Sequence, residues 1–150
     1  MKISELLDEN LIELNLKGEV KEEALAEMVE LLKEEDKITD KDKFYQTILE
    51  REQEGTTGLG RGVAIPHGKS NVVNDLALVV GRSKEGIDFN SRDGQPVHLF
   101  FMVADYEGHS PEYLKMVAQL TRNVRQDDYR EELLQADSEK EIIEITKNHE

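Results

Sequence analysis

Apolar residues recur along this chain in two alternating periods. Leu11, Ile12, Leu14 and Leu16 fall at near-alternate positions ahead of Gly18, the pattern of a short half-buried strand over 11–16. Over 21–35, Ala24, Leu25, Met28, Leu31 and Leu32 share one face of a helix whose outward positions are acidic. Asp40 is placed to cap a second helix that buries Phe44, Ile48 and Leu49 and ends near Gln53, just ahead of Gly55. The stretches 76–80 and 97–103 are short apolar runs rich in β-branched or aromatic residues and read as buried strands. Ser110-Pro111 marks a helix start, serine as N-cap and proline at the first helical position, which turns Leu114, Val117, Leu120 and Val124 inward. A further helix is expected over 128–135. Ser138 and Glu141 form a capping box that opens a last helix carrying Ile142, Ile143 and Ile145. Helices alternating with strands predict an α/β fold with a sheet covered on both faces.

The length of 150 residues suits a single domain, and no internal repeat, low-complexity tract or linker divides it. Charge narrows the partners. A formal net charge of −14 repels nucleic-acid phosphates and an anionic membrane surface, while it steers a basic partner inward. Most of these charges are read as solvating helices, in which Glu and Lys are good formers. The absence of cysteine removes disulfides and thiol chemistry and fits a reducing compartment. No apolar run approaches the roughly 18 residues of a membrane span, and Met1-Lys2-Ile3 does not open a signal peptide, so a soluble cytoplasmic protein is expected.

The stretch 51–70, REQEGTTGLGRGVAIPHGKS, holds five of the ten glycines and the candidate chemistry. It is not a P-loop: Gly62 precedes Gly68-Lys69-Ser70 by one residue too many, and Pro66 removes an N–H donor. The dinucleotide fingerprint also fails, since Gly58 and Gly60 are followed by Gly62 and then Val63. Pro66 pushes Ile65 toward extended geometry, so His67 is expected at the end of a strand, with Gly68 permitting a turn after it. A histidine so placed is open to a bulky partner. On local sequence alone it reads equally well as a satisfied surface residue.

Arg51-Glu52, Thr56-Thr57-Gly58-Leu59-Gly60 and Gly62-Val63-Ala64-Ile65-Pro66-His67-Gly68 together resemble the active-site signature of enzyme IIA domains of the fructose/mannitol class. These belong to the bacterial phosphoenolpyruvate-dependent sugar phosphotransferase system. The likeness continues through Gly86-Ile87-Asp88-Phe89, Asp93-Gly94-Gln95-Pro96-Val97, the apolar stretch 99–103 and the 113–120 helix, and so covers nearly the whole chain. It implies a mixed sheet flanked by helices. It further implies that His67 accepts a phosphoryl group from the histidine-containing phosphocarrier protein and hands it to a IIB component of a sugar transporter, through a phosphohistidine. No cofactor, metal, nucleic acid or membrane insertion is implied. Arg51 stands at the family's phosphoryl-binding position, its planar fork suited to phosphoryl oxygens; the alternative is a surface arginine closing a helix. Backbone N–H groups of the glycine loop are expected to add donors.

One position departs from the family. Its second histidine, 46 residues after the first, is Tyr113 here. Tyrosine can donate a hydrogen bond to a phosphoryl oxygen but carries no imidazolium charge. His109 is the nearest substitute. His98 is expected as a core or edge residue, His149 in a fraying tail, and Glu52 and Glu54 as solvated carboxylates. No His/Asp/Glu spacing resembles a zinc site, and a Ser70–His67–Asp75 hydrolase lacks a nucleophile elbow. Three functions stay open: a phosphoryl carrier for sugar uptake, a regulatory module of the same relay (nitrogen-type IIA) switched by His67 phosphorylation, and a binding domain with an inert histidine.

Overall fold

The computed structural model describes residues 2–150. Six strands form one mixed sheet: β1 (Ile12–Glu13), β2 (Gly58–Gly60), β3 (Val63–Ala64), β4 (His67–Lys69), β5 (Ala77–Ile87) and β6 (Val97–Asp105). Strand order is β1-β5-β6-β3-β2, with β4 also paired to β6. β5 and β6 run antiparallel, while β1 joins β5, and β3 and β4 join β6, in parallel. Six helices cover the sheet: α1 (Ile3–Leu6), α2 (Lys21–Glu34), α3 (Lys41–Gln53), α4 (Pro111–Asn123), α5 (Asp127–Gln135) and α6 (Glu139–His149). This is the α/β domain with helices on both faces that the alternating periods predict.

The central strand explains its own composition. Along β6, Phe100, Met102 and Ala104 pack with Leu25, Met28, Phe44 and Ile48 of α2 and α3. Leu99, Phe101 and Val103 pack on the opposite face with Ile3, Met116, Leu120, Tyr129 and Ile142 from α1, α4, α5 and α6. A strand buried on both sides needs an unbroken apolar run, and each fully buried Leu, Phe or Met side chain contributes about 1.5–3 kcal/mol.

Four expectations change. The first strand contracts to Ile12–Glu13, because Leu11 closes a 3-10 turn (Glu9–Leu11) that Asp8 caps by accepting from the Asn10 N–H. The strand expected over 76–80 runs on to Ile87, where pairing with β6 resumes at Ile87–Val97 after an irregularity beyond Arg82. On α4 the buried face is Tyr113, Met116 and Leu120, at i, i+3 and i+7, and Leu114 is 69% exposed rather than inward. His149 lies in α6, its Nδ1 3.0 Å from Gln126 Oε1 and its Nε2 2.5 Å from Glu132 Oε2, not in a frayed tail. With Asp128, these groups bring three ligand-type atoms within 4.8 Å of one another, a juxtaposition that spacing alone does not reveal.

Candidate functional site

His67 does not end a strand; it restarts one. β3 and β4 lie in succession along the same edge of β6, and the register is unchanged across the gap, with Val63 opposite Leu99 and His67 opposite Val103. The interruption is Ile65-Pro66. Pro66 has no N–H to give to the ladder, yet its carbonyl still accepts from the Val103 N–H at 2.9 Å. The break turns the Ile65 carbonyl toward the His67 ring, whose Nδ1 lies 2.8 Å from it. A carbonyl only accepts, so Nδ1 carries the proton and Nε2 of the neutral ring keeps its lone pair.

Gly68 is needed for closeness and not for a turn. It sits inside β4, and a Cβ there would lie 3.1 Å from Thr47 Cγ2 and 3.3 Å from Ile48 Cδ1 of α3. Side chains alternate along a strand, so Gly68 faces α3 while His67 and Lys69 face the other side. The glycine loop also serves another purpose than expected. Arg61 and Gly62 adopt φ values of 58 and 79° at the tip of the β2–β3 hairpin, as a type I′ turn requires. That tip pairs with the start of β6, where Gly62 accepts from the His98 and Leu99 N–H groups. It therefore lies about 17 Å along the sheet from His67.

Tyr113 stands beside His67, and the Arg51 charge lies near enough to act on both. Tyr113, in the first turn of α4, stands edge-on to the imidazole, ring centroids 6.1 Å apart and planes at 63°. Arg51 closes α3; its guanidinium donates to the Gly55 carbonyl at 2.9 Å and leaves other donors free. Burial lowers the His67 pKa below its ordinary 6.5, the Ile65 carbonyl partly opposes this, and the Arg51 charge lowers it further. Burial pushes the Tyr113 hydroxyl up to about 12, against the pull of Arg51. The ring is thus kept neutral with a lone pair on Nε2, and the phenol stays protonated.

Three contributors escape a reading of the sequence. Glu52 is buried, not solvated: it accepts from the Thr57 N–H at 3.1 Å and from the Thr57 hydroxyl, and pairs with Lys21 Nζ at 3.0 Å. This ties the end of α3, and so Arg51, to the loop entering β2. Asp105, fully buried at the end of β6, accepts from the Tyr106 N–H at 2.8 Å and from the Ser110 hydroxyl. Ser110 therefore holds the start of α4 through Asp105, and its side chain caps no helix N–H. Lys69 donates to the Gly108 carbonyl at 2.8 Å and lies 4.9 Å from the centre of the Tyr113 ring. The signal for Lys69 was its place two residues beyond His67 on one face of a strand.

The other candidates fall elsewhere. His109 is exposed in the loop before α4. His98 hydrogen-bonds through Nδ1 to the Ser83 carbonyl at 2.9 Å on the central strand β6, so of the core or edge placement expected the edge is ruled out. Ser70 is buried with its hydroxyl accepting from the Val72 N–H at 3.3 Å, and Asp75 is exposed, so no hydrolase triad forms. Among the described residues no helix is long and apolar enough to cross a membrane.

This geometry, a neutral imidazole anchored at Nδ1 beside an arginine and a phenol, suits acceptance of an anionic group. Residues 5–149 match the family model for the phosphoenolpyruvate-dependent sugar phosphotransferase system, EIIA 2. The chain is 42% identical over 149 residues to the fructose-specific EIIABC component of Bacillus subtilis, covering 99% of this chain but only 24% of that protein. It is 34% identical to the fructose-specific EIIA component of Haloferax volcanii, covering 95% of this chain and 93% of that one. Among solved structures, nitrogen regulatory protein IIA-Ntr from Neisseria meningitidis superposes with a TM-score of 0.89 at 31% identity, over 96% of this chain and 98% of that one. The chain belongs to the EIIA family of the phosphotransferase system, fructose/mannitol class. It is a phosphoryl-carrier component of that system.

Proposed function

We propose that His67 Nε2 accepts the phosphoryl group from the histidine-containing phosphocarrier protein and passes it to a IIB component for sugar uptake, in the cytoplasm. The observation that carries the reading is the 2.8 Å contact of Nδ1 with the Ile65 carbonyl, which leaves the Nε2 lone pair free. That lone pair forms the new P–N bond as the P–N bond of the donor phosphohistidine breaks. The donor's imidazole departs with the electron pair, and the His67 proton stays on Nδ1, hydrogen-bonded to the Ile65 carbonyl. Transfer runs in line with little covalent help, so the protein positions and stabilises charge. Arg51 offers its free N–H groups to the phosphoryl oxygens, and Tyr113 its hydroxyl. The names of the two fructose-specific relatives favour a fructose-type IIB as the destination.

Docking has matching features. Tyr106 and Leu114, 42% and 69% exposed, flank the α4 start beside the Lys69–Tyr113 pair and give a partner apolar contact. Glu107 and Glu112 supply an acidic rim there.

A regulatory role is the second reading. The likeness to IIA-Ntr and the tyrosine in place of the second histidine support it. One reconstitution separates the two. The chain is charged from labelled phosphoenolpyruvate with enzyme I and phosphocarrier, and the label is mapped and offered to fructose-type IIB. Label on His67 that moves to IIB fits the transport reading; label that stays on His67 favours regulation. Label on another histidine overturns the assignment.

A further inference from the structure

We infer that Lys69 supplies the positive charge that the second histidine supplies elsewhere in the family, and that it does so across the face of Tyr113. The inference rests on His67 being the acceptor. Tyr113, its hydroxyl raised to about 12, is neutral at working pH and brings no charge to a phosphoryl group that carries about −1.5 to −2. Arg51 supplies charge from the α3 side only. On the α4 side, Lys69 Nζ is the cation that lies over the Tyr113 ring, 4.9 Å from its centroid, while the same ring stands edge-on to His67 at 6.1 Å. His67, Tyr113 and Lys69 thus form one contiguous cluster.

Strand geometry makes the placement obligatory. His67 and Lys69 are two residues apart on β4, so their side chains leave the same face with Cα atoms about 6.6 Å apart. The register holds this spacing, since both residues pair with β6 opposite Val103 and Asp105. Lysine then reaches back over a flexible four-carbon stem. Its ammonium has three N–H groups, of which the Gly108 carbonyl takes one at 2.8 Å. No carboxylate lies within 4.0 Å of it among the described residues, although Asp105 is opposite it in the sheet. The Asp105 carboxylate is instead engaged by the Tyr106 N–H and the Ser110 hydroxyl. The lysine charge is left for an incoming anion. Holding it over a π face positions it without neutralising it, because the ring quadrupole attracts a cation but carries no net charge. A tyrosine at 113 is therefore a platform for the lysine as well as a hydrogen-bond donor.

The test is a double-mutant cycle on the full chain, with Lys69→Met, Tyr113→His and both together, and Lys69→Arg as the conservative variant. Phosphorylation from labelled phosphocarrier is followed by rapid quench, and thermal melting checks folding of each variant. K69M is expected to slow acceptance by about ten- to a hundredfold, the size of a lost charge-assisted hydrogen bond. K69R is expected to retain most of the rate. In the Y113H background, where an imidazole restores the charge, the K69M loss is expected to shrink to about two- to threefold. K69M as fast as the unaltered chain, or an equal loss in both backgrounds, overturns the inference while leaving His67 as acceptor. Failure of the unaltered chain to take label at His67 overturns the underlying reading instead.

Discussion

His67 and His98 carry nearly the same anchor and are not the same kind of residue. Each is partly buried on a strand of one sheet, and each holds a backbone carbonyl through Nδ1, at 2.8 Å to Ile65 and 2.9 Å to Ser83. Around His98 the ring packs against a glycine. A Cβ at Gly86, whose φ is +87°, would lie 3.0 Å from its Nε2. The neighbouring Arg82 gives its guanidinium to the carbonyls of Leu14, Leu133 and Ala136, at 3.1, 3.0 and 2.8 Å. Around His67, Arg51 and Lys69 each give one hydrogen bond to a backbone carbonyl and keep donors in reserve. A carbonyl anchor is thus a structural commonplace. What separates the two sites is uncommitted positive charge beside the imidazole.

The sharpest way to break the comparison is to remove each imidazole in turn. His67→Ala is expected to abolish labelling from the phosphocarrier, and His98→Ala to leave it intact; label retained by the first variant refutes the distinction. Arg51→Ala comes next, with acceptance slowed by the worth of a hydrogen bond to a charged group, about 1.5–3 kcal/mol. The same variant moves the pH profile. Burial and Arg51 both lower the His67 pKa, so the acid limb of acceptance is expected below 6.5, and losing Arg51 moves that limb upward. A limb that stays put in the variant, read by quench rates from pH 5 to 8, removes Arg51 from the site.

A third change acts on the frame. Glu52→Ala strands a partly buried Lys21 and two Thr57 donors, and is expected to cost about 3 kcal/mol in urea unfolding. A cost under about 0.5 kcal/mol would mark the network as ornamental. The smallest effect is ionic. The −14 charge steers a basic carrier, so raising salt to physiological strength, where the Debye length is about 8 Å, is expected to slow association several-fold in stopped-flow. The step at saturation stays unchanged. An association rate indifferent to salt would reduce the acidic surface to solvation.

Most of the architecture was legible because it obeys periodicity. The helices α2, α3 and α6 and the central strand β6 follow from apolar spacing and two capped starts, Asp40 accepting from Lys43 N–H and Ser138 from Glu141 N–H. The site was legible only in part. His67 and Arg51 stand in a motif, but Glu52 is a glutamate in a helix full of exposed charge, and nothing local says that Thr57 and Lys21 will enclose it. Leu114 misled for the opposite reason: hydrophobicity suggested burial, whereas the helix face is set by Tyr113 and Met116, two residues with less apolar reputations. The role of Gly68 was misread because a glycine serves close approach as readily as a turn, and only the position of α3 decides between them.

The proline gap between β3 and β4 also shapes how the molecule breathes. β5 and β6 are antiparallel neighbours along a long ladder, whereas β4 joins β6 through a three-residue parallel segment, with the ladder donor of Pro66 missing. Short, non-local parallel pairing forms late and opens early relative to such a ladder. Amide exchange is therefore expected to be slowest at Val79–Val80 and Phe100–Met102 and faster through His67–Lys69. On the proposed relay, the segment that presents the imidazole can then adjust to donor and acceptor in turn while the sheet beneath it stays closed.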